Sequence, residues 1–450
     1  MLDEEEHLLA EKLKKSCDSN GKEVNITKSA NFLHKLGLLY RERRHDKVSL
    51  IQSAALFNAA LIRTSNNTVE IETDLKKLCK IILEEAEACN ENANIINIAK
   101  IVKAMVKKMR MKTDSILQPV VRITEEFLED EKFQAERHKI NDIQSIQNEI
   151  TETYSTIMDY VSNECSNIMG DPPEPCDFAV VGMGSIARKE VTPYSDFECV
   201  IVLETDAQKK TKYDGILEYF RWFTVIFQTI LICLGETILP SVAIPSLNDF
   251  YGDGEDWFFD AYTKSGISFD GMMPHACKSP LGRQQNTKKK SWKTELIKPV
   301  DDMVKYLDSK ENLKQGYHLA DILTKTRFIS GSKDVYENFN DKVKKKMSWQ
   351  RTNNKEEQLF AINKQIEEDK KNLLVIDHMT NRIFSGKLNV KRTIYRSITI
   401  FIAALGGLYG IDFASCFDII DALLYNQIIS PDIAHKLNPI LTRLASLLKN

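Results

Sequence analysis

The acidic pair Asp196 and Glu198 is the part of this sequence whose residue types and spacing best suit chemistry. The two residues flank Phe197 at the start of an apolar run that ends at Leu203, a pattern that predicts a buried strand. Because residues two apart on a strand face the same side, both carboxylates should point into one cleft while Phe197 and Cys199 pack behind them. Carboxylate oxygens are ligands that Mg²⁺ or Mn²⁺ prefers, so the pair predicts a site for two metal ions that bridge triphosphate oxygens.

A glycine–serine bend, Gly184-Ser185, precedes the acidic pair by ten residues and follows a short apolar strand predicted at 177–182. Gly184 lets the backbone approach phosphate groups, and the Ser185 hydroxyl and the N–H groups of a helix start can bind them. Without the bend, Asp196 and Glu198 would suit an acidic turn that leads into an edge strand equally well. The bend at this spacing favours the metal and phosphate site.

The same glycines permit a second interpretation, a dinucleotide-binding turn. The pattern Gly182-x-Gly184-x-x-Ala187 follows a strand, and Glu204 lies twenty residues beyond Gly184. A parallel crossover, however, needs a connection of about a dozen residues, usually a helix. Thr192-Pro193 would end such a helix after about two turns. The sequence therefore disfavours dinucleotide binding.

The segment 184–203, GSIARKEVTPYSDFECVIVL, resembles the catalytic motif of the polymerase-β-like nucleotidyltransferases. It is most similar to the protein-PII uridylyltransferase branch, which includes nucleotidyltransferases found behind CBS domains in bacteria. Arg188, Glu190 and the turn Thr192–Asp196 belong to the pattern of that branch. The resemblance continues weakly at 318–323, 327–331 and 391–397, and covers roughly residues 130–450.

This resemblance implies attack by a hydroxyl on the α-phosphate of a nucleoside triphosphate, with transfer of UMP or AMP and release of pyrophosphate. Asp196 would bridge both metal ions, and Glu198 would complete the nucleotide-bound metal site. The family usually supplies a third carboxylate from a later strand, and Asp270, at the end of a strand predicted at 265–270, is the candidate. Asp270 would ligate the other metal ion and help to deprotonate the hydroxyl. Its rivals for this role are Asp253, Asp256 and Asp260.

Five further residues are candidates for binding the nucleotide. Gly184, Ser185 and Arg188 lie in the motif itself. Lys278 and Arg283 follow the Asp270 segment, where their charges suit a triphosphate but equally suit an ordinary protein surface.

The sequence departs from the uridylyltransferase proper in two respects. The His-Asp metal pattern of that enzyme's phosphohydrolase domain is absent, so the resemblance implies that the nucleotide is transferred but not removed. The second carboxylate is Glu198 rather than aspartate, which is longer by one methylene. A second hypothesis therefore stays open: a nucleotide-binding scaffold or regulator, weak or inactive in catalysis, that acts through its helices. For an enzyme, the resemblance favours a protein hydroxyl as acceptor, such as a tyrosine, and a small-molecule acceptor is the open alternative.

Helical patterns surround the short strands of this core. Apolar residues recur three or four apart through most of residues 1–168, and Leu33, Gly37 and Phe57 suggest a tetratricopeptide-like helix pair, although a plain hairpin fits as well. Prolines at 172–175 end this region, and three helices are predicted in 390–448. The sequence therefore predicts an α+β fold: a small mixed sheet at 171–300 between all-helical domains at 1–170 and 301–450.

Composition limits the partners and the compartment. The 450 residues include 61 basic and 64 acidic side chains, a net charge of −3, so neither nucleic acid nor an acidic membrane is expected as a partner. The nine cysteines form no C-x-x-C pair, which argues against zinc and a disulfide framework. The apolar window 222–235 is too short to span a bilayer, and the first residues resemble no signal peptide. Together these features favour the cytoplasm.

Overall fold

The chain folds into two compact units. The first comprises Met1–Lys107, Ser155–Met183 and Tyr194–Asn340, and the second comprises Lys108–Tyr154, Gly184–Pro193 and Asp341–Asn450. The predicted boundaries at residues 170 and 300 stay a prediction. The structure, a computed structural model, describes residues 2–18, 23–64, 68–122, 129–204, 210–242, 244–247, 257–269, 283–287, 290–308, 322–353 and 396–447.

Helices dominate the chain before the first strand. They are α1 (Leu2–Lys14), α2 (Ile26–Arg41), α3 (Lys47–Arg63), α4 (Thr68–Glu85), α5 (Ile95–Arg122) and α6 (Glu129–Met169). Side-chain caps fix two of the starts, because Asn25 accepts a hydrogen bond from the N–H of Lys28 and Asp46 accepts one from the N–H of Val48.

The helices α2 and α3 pack closely because α2 has a glycine at the contact. A Cβ atom at Gly37 would lie 2.6 Å from the ring of Phe57 on α3, and the Ser53 hydroxyl donates a hydrogen bond to the Gly37 carbonyl. This pair lies where the sequence suggests a tetratricopeptide-like unit, and that likeness stays a prediction.

A four-stranded mixed sheet follows, and it confirms the predicted α+β class. Its strand order is β5-β2-β1-β6, with β1 antiparallel to β2 and β6, and β2 parallel to β5. A separate antiparallel hairpin pairs β3 with β4. The bounds are β1 Asp177–Gly182, β2 Cys199–Glu204, β3 Arg283–Thr287, β4 Lys290–Thr294, β5 Ile297–Pro299 and β6 Arg327–Gly331.

Two expectations for the sheet need correction. The strand predicted at 265–270 is, over its described part, a single parallel bridge between Phe269 and Phe197. The helix of about two turns expected before Thr192-Pro193 is also shorter, since residues 184–189 form turns. The strands β1 and β2 on either side of these turns are antiparallel neighbours, in agreement with the argument against a dinucleotide-binding turn. Antiparallel pairing excludes the parallel crossover that a dinucleotide-binding turn requires.

One face of the sheet packs on the apolar helix α7 (Lys210–Ile232). The ring of Phe178 on β1 lies 4.8 Å from that of Phe220, and the ring of Phe197 stacks on that of Phe227 at 5.6 Å between centroids. The apolar stretch expected at 222–235 overlaps a longer apolar segment than the sequence predicts. Among the described residues, Tyr213–Ile232 is long and apolar enough to cross a membrane by length and composition. A buried core helix passes the same test, and 83% of this window is buried in the fold.

Apart from β6, the described residues after β5 are again mostly helical. The helices are α8 (Val300–Val304), α9 (Lys333–Asn353), α10 (Arg396–Leu408), α11 (Cys416–Tyr425) and α12 (Pro431–Leu447). The last three form a small core of their own that includes Ile402, Phe417, Ile420, Leu423 and Leu441. Their starts and stops follow local rules, since Gly410 adopts a positive φ after α10 and Ser430 caps α12 just before Pro431.

Candidate functional site

Asp196 and Glu198 lie on an extended segment that leads into β2. The N–H of Phe197 donates to the Ser268 carbonyl at 2.7 Å, and the N–H of Met183 donates to the Glu198 carbonyl at 2.8 Å. These two hydrogen bonds hold the segment on both sides. Met183 directly follows β1, so the ladder that ends with Gly182 opposite Cys199 continues to Glu198.

Burial alternates along this segment. Phe197 and Cys199 are buried, whereas Asp196 is exposed and Glu198 is partly exposed. Phe197 faces α7, where it stacks on Phe227. Because successive residues of an extended chain point to opposite sides, Asp196 and Glu198 face away from α7 together.

The loop 184–193, which belongs to the second compact unit, begins with a glycine in the left-handed region. Gly184 has φ +63°, and its carbonyl accepts a hydrogen bond from the N–H of Arg188 at 3.2 Å. One turn later the loop closes as a helix C-terminus does. The N–H of Glu190 donates to the Ser185 carbonyl and that of Lys189 donates to the Ile186 carbonyl, with Lys189 at φ +56°. The helix predicted here is therefore a single turn, and it ends before Thr192-Pro193.

Two side-chain contacts between residues far apart in the chain fix this loop within its unit. The buried Glu190 carboxylate accepts hydrogen bonds from Arg188 Nε and from the thiol of Cys416, each at 3.0 Å. Further along, the guanidinium of Arg110 on α5 donates twice to the Pro193 carbonyl, at 3.1 Å and 3.0 Å. Sequence reasoning missed Cys416 and Arg110, because their contacts join segments that are far apart in the chain.

The remaining site candidates divide into described and undescribed residues. Asp270 and Lys278 lie outside the described residues, as do two of the rival carboxylates, Asp253 and Asp256. Arg283 is the first residue of β3, where the structure describes the backbone. Phe269, which immediately precedes Asp270 in the chain, is the residue that bridges Phe197.

Asp260, the third rival for the role of third carboxylate, takes part in a different set of interactions. Its carboxylate lies 2.5 Å from a guanidinium nitrogen of Arg63 and accepts hydrogen bonds from the N–H groups of Leu239 and Thr263. The same guanidinium pairs with Glu23, and the side chains of Arg63 and Glu23 are fully buried. This closed ionic network indicates a structural role for Asp260. Among the described residues, no three His, Cys, Asp or Glu side chains form a group that could hold a metal ion.

Comparison with protein families adds a decisive observation. Residues 131–246 match the model of a family whose description is "Putative nucleotidyltransferase DUF294". This match supports a domain of the nucleotidyltransferase-like superfamily at residues 131–246. The match begins within α6 and covers β1, the loop 184–193, the Asp196–Glu198 segment, β2 and α7, and it ends at residue 246. A search of curated proteins found no match.

The extent of the match separates two sets of site candidates. Gly184, Ser185, Arg188, Asp196 and Glu198 lie inside the matched residues of the nucleotidyltransferase-like domain. Asp270, Lys278 and Arg283 lie beyond them. The match therefore supports a transferase, and it does not indicate the nucleotide that is transferred.

Proposed function

We propose that this chain is a metal-dependent nucleotidyltransferase that moves UMP or AMP from a nucleoside triphosphate to a hydroxyl and releases pyrophosphate. The observation that carries the proposal is the placement of Asp196 and Glu198. Both face away from α7 on a segment held against the end of β1, and that segment lies within the nucleotidyltransferase-like domain.

The donor chemistry of this segment fits Mg²⁺ or Mn²⁺. Asp196 and Glu198 offer carboxylate oxygens on the less buried side of the segment, while the thiol of Cys199, a softer donor, is buried on the other side. Asp270 would supply a third carboxylate, since it directly follows the residue that pairs with Phe197. A divalent cation held there would neutralise charge on the triphosphate.

The chain's own residues would bind the phosphates and handle the proton. Gly184, Ser185 and Arg188 would contact the triphosphate, together with Lys278 and Arg283 beyond the acidic segment. As the acceptor oxygen forms its bond to the α-phosphorus, the bond to the bridging oxygen of pyrophosphate breaks, and the acceptor proton passes to Asp270. Such a reaction depends mainly on positioning and charge neutralisation, which explains why so few side chains suffice.

The acceptor would be a hydroxyl on a protein, such as a tyrosine, presented by the helical segments outside the matched residues. The resemblance to the protein-PII uridylyltransferase branch supports a protein acceptor. It also supports the choice of UMP or AMP.

Transfer of label from α-labelled UTP or ATP, with Mg²⁺ and a cell extract as acceptor, tests the proposal. We expect Glu198→Gln to lower incorporation by at least about 100-fold, because a charged ligand at the reacting phosphate is lost. Glu204→Gln is the matched control, since Glu204 is exposed six residues further along the same strand segment. We expect it to retain full incorporation.

Two results would count against the proposal. Equal incorporation by the Glu198→Gln and Glu204→Gln variants would remove Glu198 from the site. Binding of UTP, ATP, CTP or GTP without transfer to any component of the extract would favour the alternative, a nucleotide-binding scaffold or regulator.

A further inference from the structure

The carboxylate of Glu190 divides its two oxygens between two donors. Oε2 accepts the hydrogen bond from Arg188 Nε, and Oε1 accepts the one from the Cys416 thiol, both at 3.0 Å. Glu190 is 5% exposed and Cys416 is 2% exposed, so water replaces neither contact easily. A buried carboxylate that loses a donor is destabilised more than an exposed one, which makes both contacts significant for the loop.

The thiol is well suited to act as the donor in this pair. Burial, together with the neighbouring Glu190 carboxylate, raises the pKa of Cys416 well above its usual value, so the thiol keeps its proton. Its other acceptor, the Thr399 carbonyl, lies at 3.6 Å and competes for the same single proton. Cys416 is the first residue of α11, where Ser415 caps the helix, and its position is therefore fixed by the helix.

The partner on the other oxygen, Arg188, is a candidate phosphate ligand. Its side chain is 30% exposed, and the contact at Nε restrains a long side chain that would otherwise sample many rotamers. At the end of the loop, Arg110 holds the Pro193 carbonyl. The loop 184–193 is thus tied to α11 at Glu190 and to α5 at Pro193.

We propose that Glu190 is a positioning residue of the nucleotide site, which orients the Arg188 guanidinium toward phosphate and, through the Cys416 thiol, fixes the loop 184–193 to α11. This inference rests on the proposed function for its ligand, a nucleoside triphosphate. It adds that the affinity for nucleotide depends on a residue of the C-terminal helices, Cys416, which lies outside the residues that match the family.

Three variants test the inference through two measurements. The measurements are the Kd for fluorescently labelled ATP and UTP with Mg²⁺, and amide hydrogen exchange of residues 184–193 without nucleotide. Glu190→Gln should raise Kd by about tenfold, the lower end of effects seen when a supporting partner of a ligand-binding group is removed. It should also speed exchange in the loop, while exchange in β1 stays unchanged as a measure of folding.

The cysteine variants form a matched pair that differs in one hydroxyl. Cys416→Ser retains a donor for Glu190 and should bind nucleotide as the natural protein does. Cys416→Ala removes the donor and should raise Kd by about tenfold, in line with the loss of one buried hydrogen bond to a charged group. This pair keeps the test decisive even if Glu190→Gln does not fold.

The results separate this inference from the proposed function. If the natural protein binds nucleotide, equal Kd values for the Ser and Ala variants, with unchanged loop exchange, would overturn the positioning role. If the natural protein binds no nucleotide, the proposed function fails, and so does the role of Glu190 in orienting a phosphate ligand. In that case faster loop exchange in Cys416→Ala than in Cys416→Ser would still support the tie between the loop and α11, and equal exchange would overturn it.

Discussion

At the scale of single residues, Asp260 and Asp196 show that the same side chain can lie in opposite environments. Asp196 is exposed on an extended segment, whereas the Asp260 side chain is 1% exposed and bound to the buried Arg63. Burial alone would raise the pKa of Asp260, but the Arg63 guanidinium and two backbone N–H groups hold that pKa below its usual value. Asp260 therefore contributes stability as a carboxylate.

The sign of this pKa shift fixes how stability depends on pH. A carboxylate whose pKa is lower in the folded state stabilises the fold above its unfolded pKa, about 3.9, and loses that contribution as the pH falls through the folded pKa. At neutral pH, Asp260→Asn should lower the free energy of unfolding by about 3 kcal/mol, since Arg63 loses a charged partner in the interior. Below about pH 4 the difference between the variant and the natural protein should shrink.

Urea unfolding followed by circular dichroism at pH 7 and at pH 3 to 4 measures this difference. Asp177→Asn, a change at an exposed residue of β1, is the control and should leave the free energy of unfolding nearly unchanged at both pH values. Equal free energies of unfolding for Asp260→Asn and the natural protein at pH 7 would contradict a stabilising ion pair between Asp260 and Arg63. A gap between the two that grows on acidification would contradict it as well.

The alternation at residues 196–199 could be predicted from the sequence, because a period of two is a local property of the chain. The hydrogen bond between Glu190 and Cys416 could not, since the two residues are 226 positions apart. The ion pair between Asp260 and Arg63, which are 197 positions apart, could not be predicted either. Residue type and local spacing indicate what a side chain is able to do, and long-range packing decides whether it is available.

At the scale of elements, β1 is where the apolar pattern predicted it, and α10, α11 and α12 are the three helices predicted in 390–448. The apolar run that ends at Leu203 is a strand only from Cys199 onward. Three-residue β5 is too short to show a pattern, and β6 enters the sheet only through its pairing with β1, far earlier in the chain. The strand predicted at 265–270 has the right composition, but its described part makes one bridge, because pairing partners rather than propensity determine a ladder.

The packing of α2 against α3 yields a prediction about two helical glycines of the first unit. Gly37→Ala should lower the free energy of unfolding by about 1–2 kcal/mol. The new methyl would lie 2.6 Å from the buried Phe57 ring, and such overpacking costs more than the roughly 1 kcal/mol that alanine gains in helix propensity. Gly215→Ala on α7 should instead raise the free energy of unfolding by up to about 1 kcal/mol, because the new methyl would meet Pro173 at an ordinary contact distance of 3.7 Å.

Urea unfolding of both variants distinguishes a packing effect from a propensity effect. If propensity alone mattered, both substitutions would stabilise the protein by similar amounts. Stabilisation by Gly37→Ala would show that α2 and α3 are further apart than the structure places them.

At the scale of the whole molecule, the two compact units differ in the size of their apolar cores. The first contains the sheet, the apolar helix α7 and α2 to α4. The described core of the second is smaller, and it includes the cluster around Ile420 on α10 to α12 together with buried apolar residues of α6, α9 and the loop 184–193. Since stability rises with the apolar area that is buried, the second unit should open at a lower denaturant concentration than the first. Buried cysteines report on both units, with Cys165 and Cys199 in the first and Cys416 in the second.

Alkylation with N-ethylmaleimide, followed by mass spectrometry of peptides, should therefore proceed in a fixed order as urea is added. Cys89 is exposed and should react without urea. Cys165, Cys199 and Cys416 require opening, because burial excludes the reagent and raises the pKa of each thiol, which removes the reactive thiolate. Cys416 should become reactive at a lower urea concentration than Cys165 and Cys199. Simultaneous labelling of all three would mean that the units open as one cooperative body, and earlier labelling of Cys199 would mean that the segment beside Glu198 is the least stable part of the fold.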